Sequence, residues 1–111
     1  MKISEQKQGA VVVVKPEGAL AAPESDALRA HLMQMLNSSM GRIVIDMSAV
    51  PFVDSSGLEV LLDVTDGMGE SGQTLKLAAT TKTVREVLEL TDLAPIFEHY
   101  DEVMDAVRSF L

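Results

Sequence analysis

Two neighbouring serines stand in an acidic setting near the middle of the chain, in the run Asp54-Ser55-Ser56-Gly57. Glu59 follows Ser56 by three residues, which is the S-x-x-E spacing of a capping box at the start of a helix. This spacing predicts that Ser56 lies at a helix N-terminus, where free N–H groups and the positive end of the helix dipole favour an added phosphate. The alternative is that Ser56 only caps the helix, since serine is a preferred N-cap residue in proteins generally.

Hydrolytic and nucleotide-dependent chemistry is poorly supported by the remaining residues. A serine hydrolase needs a serine, a histidine and an acid together, yet D-S-S-G lacks the G-x-S-x-G elbow and the only histidines are His31 and His99. His31 lies off the apolar stripe of its predicted helix, so we expect it to be exposed. Gly67, Gly69 and Gly72 do not follow a predicted strand, which favours a helix-to-strand loop over a nucleotide-binding loop. We expect no enzymatic activity and no cofactor.

Asp46 and Asp54 bracket the segment that leads into the serine pair. Together with the serine hydroxyls they could bind a metal ion, but two carboxylates without further ligands are a weak metal signal. We therefore expect no metal and interpret both carboxylates as flanking a recognition site, which they make more acidic.

The segment from Arg42 to Asp63 must position these side chains. Its continuous apolar run at residues 43–45 predicts a strand covered on both faces, and a crossing at residues 46–53 then leads to the helix. A buried helix face is predicted from four residues at helical spacing: Leu58, Leu61, Leu62 and Thr65.

The first part of the chain predicts a β-hairpin and a helix. A polar edge strand at residues 2–7 turns at Gln8-Gly9 into the valine-rich strand 10–15, which Pro16-Glu17-Gly18 should end. Pro23 suits the first turn of the next helix. The buried stripe of that helix is predicted to comprise Leu28, Leu32, Met35 and Leu36.

The last part of the chain continues the alternation of strands and helices. A strand is predicted at residues 74–79, a second capping box at Thr83 and Glu86, a short extended segment ending at Tyr100, and a last helix capped by Asp101. The whole pattern predicts a single α/β domain over residues 1–111, with a mixed, mainly parallel sheet, an N-terminal antiparallel hairpin and about four helices.

Composition narrows the choice of partners and compartment. Nine basic against seventeen acidic residues give a net charge of −8, which argues against nucleic acid and anionic lipid and favours either a partner with a basic face or plain solubility. The chain has no cysteine and no apolar run long enough for a membrane span. We expect a cytoplasmic protein without membrane insertion.

Residues 43–61, I-V-I-D-M-S-A-V-P-F-V-D-S-S-G-L-E-V-L, resemble the signature of the STAS domain, specifically that of the bacterial anti-sigma factor antagonists. The resemblance extends to Gly18-Ala19-Leu20, which is similar to the family's ending of the second strand. It also includes residues 84–93 and Phe97, which are similar to its third helix and last strand. Nearly the whole chain is covered.

The resemblance implies a phosphorylation switch at this turn. The second serine of D-S-S-G is the family's phosphoacceptor, which is Ser56 here; Asp46 matches the acidic residue beside it, and Ser55 and Gly57 would shape the exposed turn. In the family, the unphosphorylated antagonist binds an anti-sigma factor that is also a serine kinase, phosphorylation separates the two, and a serine phosphatase restores binding.

The partner surface is expected at residues 54–57 and on the exposed side of the following helix, notably Glu59 and Asp63, facing basic residues of the kinase. One position departs from the family pattern, because many antagonists carry a kinase-contacting acidic residue where Ala21 stands. The alternative within the family is a non-switching STAS subunit of a transporter or of a chemotaxis-linked complex. An enzyme with an acidic site is improbable because no base, nucleophile and oxyanion set can be assembled.

Overall fold

A five-stranded sheet in the spatial order β1-β2-β3-β4-β5 carries the fold in the computed structural model, which describes residues 1–39, 41–69 and 73–111. The strands are β1 (Lys2–Gln8), β2 (Val11–Glu17), β3 (Ile43–Asp46), β4 (Lys76–Ala78) and β5 (Glu98–Tyr100). The helices are α1 (Glu24–Ser39), α2 (Ser55–Gly69), α3 (Lys82–Leu90) and α4 (Val103–Arg108), and a short 3-10 helix spans Ala94–Ile96. β1 and β2 pair antiparallel and the other pairs are parallel, so the predicted fold class is confirmed.

The hairpin forms where the sequence predicts it, with Gly9 at φ 64° in the turn. β2 continues to Glu17, two residues beyond the predicted strand 10–15, and ends within the predicted stop Pro16-Glu17-Gly18. Pro16 pairs with Ile3 of β1, whereas the pairing of β2 with β3 covers only Val12 to Val14. The missing N–H of Pro16 therefore costs no hydrogen bond on the β3 side.

The period-two alternation of the strands divides the apolar residues between two layers. On one face, Val12, Val14, Ile43 and Ile45 pack with α1, α2 and α3 in a core that also contains Leu28, Leu32, Val60, Leu61, Val64, Val84 and Leu88. On the other face, Val11, Val13, Val44 and Ala78 pack against Ala106 and Val107 of α4. Both faces of β3 are thus covered, as its continuous apolar run predicts.

Helix α2 differs from the prediction in its face and its length. Its buried residues are Gly57, Val60, Leu61, Val64 and Met68, whereas Leu58, Leu62 and Thr65 are only partly buried. The predicted face rests on the positions of the bulky leucines and does not include Gly57. The contact of Gly57 with the chain after β2 fixes the rotation of the helix about its axis. Gly67 and Gly69 lie inside α2 rather than in a loop, and Gly72 lies outside the described residues.

The predicted caps of α3 and α4 are also wrong. α3 begins at Lys82 with Thr81 at its N-cap, so Thr83 and Glu86 lie within the helix and form no capping box. The Thr81 hydroxyl donates to the carbonyl oxygen of Val50 at 2.9 Å, a contact that fixes the start of the helix against the chain after β3. Glu102, rather than Asp101, is the N-cap of α4.

His31 is half-buried rather than exposed, because its ring lies against Glu5 of the edge strand β1. Contact between α1 and the hairpin therefore covers His31, although this residue lies off the apolar stripe of its helix.

Candidate functional site

The candidate site lies at the carboxyl edge of the sheet, beyond the ends of β2 and β3, where both α1 and α2 begin. Ligand and partner sites of open α/β sheets commonly occupy this edge. The chain after β3 is fixed there by a parallel bridge between Leu20 and Val53. The N–H of Leu20 donates to Phe52 O at 3.1 Å, and the N–H of Asp54 donates to Leu20 O at 3.0 Å. This ladder holds the start of α2 against the end of β2.

Asp54, and not Ser56, caps helix α2. The helix begins at Ser55, and the Asp54 carboxylate accepts a hydrogen bond from the N–H of Gly57, with Oδ1 at 3.1 Å from the nitrogen. This is the ordinary N-cap contact from the third residue of the first turn. The predicted capping box of Ser56 and Glu59 is therefore wrong, because Ser56 stands at the second helical position. Ser56 still lies at the helix N-terminus.

The hydroxyl of Ser56 lies between two polar side chains. Its oxygen is 2.6 Å from Asp54 Oδ1 and 2.9 Å from the Oγ of Ser25 on α1. A carboxylate can only accept, so the one hydroxyl proton of Ser56 is donated to Asp54. Ser25 must then donate its own proton to the Ser56 oxygen. The result is a directed chain of hydrogen bonds from Ser25 through Ser56 to Asp54.

Gly57 allows the first turn of α2 to lie against the chain that follows β2. A Cβ atom at Gly57 would lie 2.5 Å from Val53 Cγ2 and closer still to the carbonyl oxygen of Leu20. Real Cβ atoms do not approach backbone this closely, so only glycine lets the first turn of α2 pack on the end of β2. The glycine of D-S-S-G thus has a packing role, whereas the sequence assigned it only to the shape of the turn.

The hydrogen bonds around Asp54 keep it ionised. Donation from the Ser56 hydroxyl is the largest cause that lowers the pKa of Asp54 below its ordinary value of 3.8, and donation from the Gly57 N–H is the next. Asp54 is therefore an acceptor and a fixed negative charge at neutral pH rather than a proton carrier.

The other predicted site residues are distributed around this centre. Asp46 lies at the end of β3, where its Oδ1 accepts from the N–H of Ser48 at 3.0 Å; the acidic side chain that contacts Ser56 is Asp54. Ser55 and Glu59 are exposed on the first turns of α2. Asp63 forms an ion pair with Arg29 of α1, so its carboxylate already has a partner within the protein.

Two residues near the site escaped the sequence analysis. Ser25 is 2% exposed and lies on the same stripe of α1 as Leu28, Leu32, Met35 and Ser39. The signal in the sequence is a polar residue on an otherwise apolar stripe, which by itself does not distinguish a site residue from a buried structural serine. Phe52, two residues before Asp54, is 47% exposed and places an aromatic ring on the surface beside the site.

Among residues 1–39, 41–69 and 73–111, no group of three or more acidic or histidine side chains has a metal-binding arrangement. The helices within these same ranges are all too short or too polar to span a membrane.

The protein combines a five-stranded mixed sheet, helices on both of its faces and a D-S-S-G turn at its carboxyl edge. This combination defines the class of protein to which it belongs. The STAS domain model matches residues 2–106, and the chain belongs to this family.

Relatives and solved structures agree with this assignment. BtrV of Bordetella bronchiseptica, provisionally named an anti-sigma factor antagonist, is 26% identical over 97 residues, which is 87% of this chain and 84% of BtrV. A crystal structure described as an anti-sigma factor antagonist of Mycobacterium paratuberculosis is 26% identical, covers 97% of this chain and 92% of its own, and gives a TM-score of 0.86. A Thermotoga maritima crystal structure, provisionally given the same description, gives a TM-score of 0.89 at 24% identity and covers 96% and 92% of the two chains.

Proposed function

We propose that this protein is an anti-sigma factor antagonist that works by partner switching, with Ser56 as the phosphoacceptor. In the unphosphorylated form it binds an anti-sigma factor that is also a serine kinase, and phosphorylation of Ser56 separates the two. A serine phosphatase returns it to the binding form, and the cycle takes place in the cytoplasm. The observation that carries the proposal is the Ser56 hydroxyl at the first turn of α2, 2.6 Å from Asp54, in a chain of the STAS family.

The hydrogen bonds of Ser56 explain how a phosphate would change this surface. As a phosphoester, Ser56 has no hydroxyl proton to donate to Asp54. The phosphate also brings about −1.5 to −2 charges beside that carboxylate. The N-terminal end of α2 favours the added anion, so the free domain tolerates the modification. A partner surface fitted to a neutral hydroxyl would instead desolvate an unpaired charge, which opposes binding.

The partner surface in this proposal comprises residues 54–57, Glu59 and the exposed ring of Phe52. Exposed carboxylates attract a basic face of the partner, and a large aromatic residue beside them can provide an apolar anchor. Asp63 contributes less to this surface than Glu59 because Arg29 neutralises it.

Exposure favours Ser55 as the phosphoacceptor, whereas hydrogen bonding favours Ser56. Ser55 is exposed, whereas Ser56 is half-buried and its oxygen is held by two neighbours. The test is to incubate the wild type, Ser55→Ala and Ser56→Ala with the cognate anti-sigma factor kinase and ATP, and to locate phosphate by peptide mass mapping. Ser56→Ala should lose the modification and keep partner binding, at a cost of about 0.5–1.5 kcal/mol for each lost hydrogen bond.

Two results would contradict this proposal. Modification that persists in Ser56→Ala and disappears in Ser55→Ala would move the acceptor to Ser55. A wild-type protein that binds its partner but is never modified, or that copurifies with a transporter subunit, would indicate a non-switching STAS subunit.

Ser56→Asp places a carboxylate in the first turn of α2, and it should fold but bind the kinase poorly.

A further inference from the structure

The chain contains a second hydroxyl at the acceptor site, on a different helix from Ser56. Ser25 is 2% exposed, and its Oγ lies 2.9 Å from the Oγ of Ser56. Its backbone N–H donates to Ala21 O at 3.1 Å, which holds the first turn of α1 in place beneath the hydroxyl. Ser25 is therefore buried, fixed at its backbone and aimed at one atom of the site.

Counting the hydroxyl protons shows which serine is the donor in this contact, and phosphorylation does not change that donor. Ser56 donates to Asp54, so the Ser25 hydroxyl is the donor to Ser56. In phosphoryl transfer, the Ser56 oxygen forms a bond to the γ-phosphorus of ATP, the bond from that phosphorus to the ADP oxygen breaks, and the hydroxyl proton passes to a basic group of the kinase. The hydrogen bond that Ser56 donates to Asp54 is lost in this step, whereas the Ser25 hydroxyl keeps its proton.

We propose that Ser25 is a positioning residue for the switch, whose buried hydroxyl directs the Ser56 oxygen in the unmodified protein and then donates to the phosphate in the modified protein. This inference rests on the proposed phosphorylation of Ser56. A residue of α1, outside D-S-S-G, is thereby added to the residues that respond to the modification. Since Asp54 repels the phosphate, Ser25 adds a neutral side-chain donor from the interior of the domain to the backbone N–H groups at the start of α2.

The test uses phosphoserine placed at position 56 during synthesis of the full chain, so that it does not depend on the kinase. Phosphorus NMR then follows the second pKa of the phosphate in the wild type, Ser25→Ala and Ser25→Cys. A donated hydrogen bond favours the dianion, so Ser25→Ala should raise this pKa by about 0.5 to 1 unit. Ser25→Cys keeps a side chain of similar size with a weaker donor and should give an intermediate value.

Nearby charges are the same in all of these proteins. Asp54 contacts Ser56 directly, and other charged side chains belong to the elements that meet at this edge: Asp46 of β3, Glu24 and Asp26 of α1, Glu59 of α2 and Lys82 of α3. Because none of them is altered, differences between variants report the Ser25 hydroxyl.

Ser39→Ala is the matched control. Ser39 is also a buried serine of α1, 6% exposed, but its hydroxyl donates to Met35 O at 2.7 Å at the far end of the helix. Its removal should leave the phosphate pKa at the wild-type value. An unchanged pKa in Ser25→Ala, or an equal shift in Ser39→Ala, would overturn the inference. If the pKa shifts as expected but the kinase leaves Ser56 unmodified, the contact stands and the proposed function fails.

Discussion

At the scale of single residues, one carboxylate holds the site together. Asp54 Oδ1 accepts from the Ser56 hydroxyl and the Gly57 N–H, and Oδ2 lies 3.4 Å from the N–H of Ala22 before α1. Its own N–H donates to Leu20 O. Asp54 therefore connects the cap of α2, the hydroxyl of Ser56 and the segment that leads into α1, and a change in its charge should affect all three.

The first prediction concerns the pH dependence of stability. The pKa of Asp54 is lowered in the folded protein, so its contribution is present above the unfolded value of 3.8 and is lost as the pH falls through the lower folded pKa. Asp54→Asn keeps an acceptor oxygen but has no charge to lose. The wild type should therefore be more stable than Asp54→Asn near neutral pH, and the difference should shrink below about pH 4.

Urea unfolding measured across this pH range checks the expectation. Asp66→Asn removes one exposed carboxylate from the same helix and is the matched control. A difference between wild type and Asp54→Asn that stays constant down to about pH 3 would show that the carboxylate gains nothing from its donors.

The second prediction compares two glycines of α2. Gly57→Ala places a methyl group against the Leu20 backbone and must push the helix away from β2, whereas an added Cβ at Gly69 meets nothing within 4 Å. Gly57→Ala should cost about 2 kcal/mol or more by strain and lost packing. Gly69→Ala should be neutral or stabilising by up to about 1 kcal/mol, because alanine is the better helix former. Thermal unfolding of both variants checks this, and equal effects would contradict the packing role of Gly57.

At the scale of elements, a buried lysine of the sheet lies against the chain that follows the short helix α4. Lys76 is 7% exposed, and its Nζ lies 3.1 Å from Glu98 Oε1 and 4.5 Å from the ring centre of Phe110, just after α4. Tyr100 donates to the same Glu98 carboxylate oxygen at 2.9 Å. A six-residue helix has little stability of its own, so these contacts help to hold the C-terminus on the sheet.

The third prediction separates the charge of Lys76 from its packing. Lys76→Met keeps an unbranched apolar stem against the rings and removes the buried charge, so it should lie within about 1 kcal/mol of the wild type. Lys76→Ala loses the stem as well and should cost about 2 kcal/mol or more. Lys82→Ala, an exposed lysine at the start of α3, is the control. Equal losses for methionine and alanine in urea unfolding would show that the charge, and not the stem, stabilises α4.

The elements also show what the sequence could and could not predict. Strand β3 and the hairpin were predictable because burial on both faces and valine-rich alternation leave a direct pattern. The start of α2 was not, because Asp54, Ser55 and Ser56 are all good N-cap residues and stand in succession. Only the contacts of Asp54 and Gly57 with Leu20 select among them, and these join segments more than thirty residues apart.

The position of Ser56 at a helix N-terminus could be predicted although the capping box was wrong, since either cap places it in the first turn of α2. The hydroxyl of Ser25 could not be predicted as part of the site. Its place depends on how α1 crosses the start of α2, which no local spacing encodes.

At the scale of the whole molecule, acidic charge exceeds basic charge and the site shares that excess. The net charge is −8, and Asp54 and Glu59 lie at the edge where a partner would bind. Asp63 is a poor probe of this surface, because reversing its charge would also break its ion pair with Arg29 and disturb the contact of α1 with α2. Glu59 is exposed and tests the surface without that complication.

The last prediction is that association with the proposed partner, an anti-sigma factor kinase, depends on this acidic surface. Glu59→Lys should weaken binding by about three- to tenfold at low salt, since it replaces attraction with repulsion in an exposed pair. Asp105→Lys makes the same change in net charge on α4, across the sheet from the site, and should change affinity much less. The ion pair that it removes, with Arg108, is exposed and lies within α4, so the contact of α1 with α2 is left intact. Calorimetry or surface binding between about 0.05 and 0.5 M NaCl should show wild-type affinity falling with salt and approaching that of Glu59→Lys. Equal effects of the two reversals would indicate that only net charge matters, and affinity that does not vary with salt would place the interface on another face of the domain.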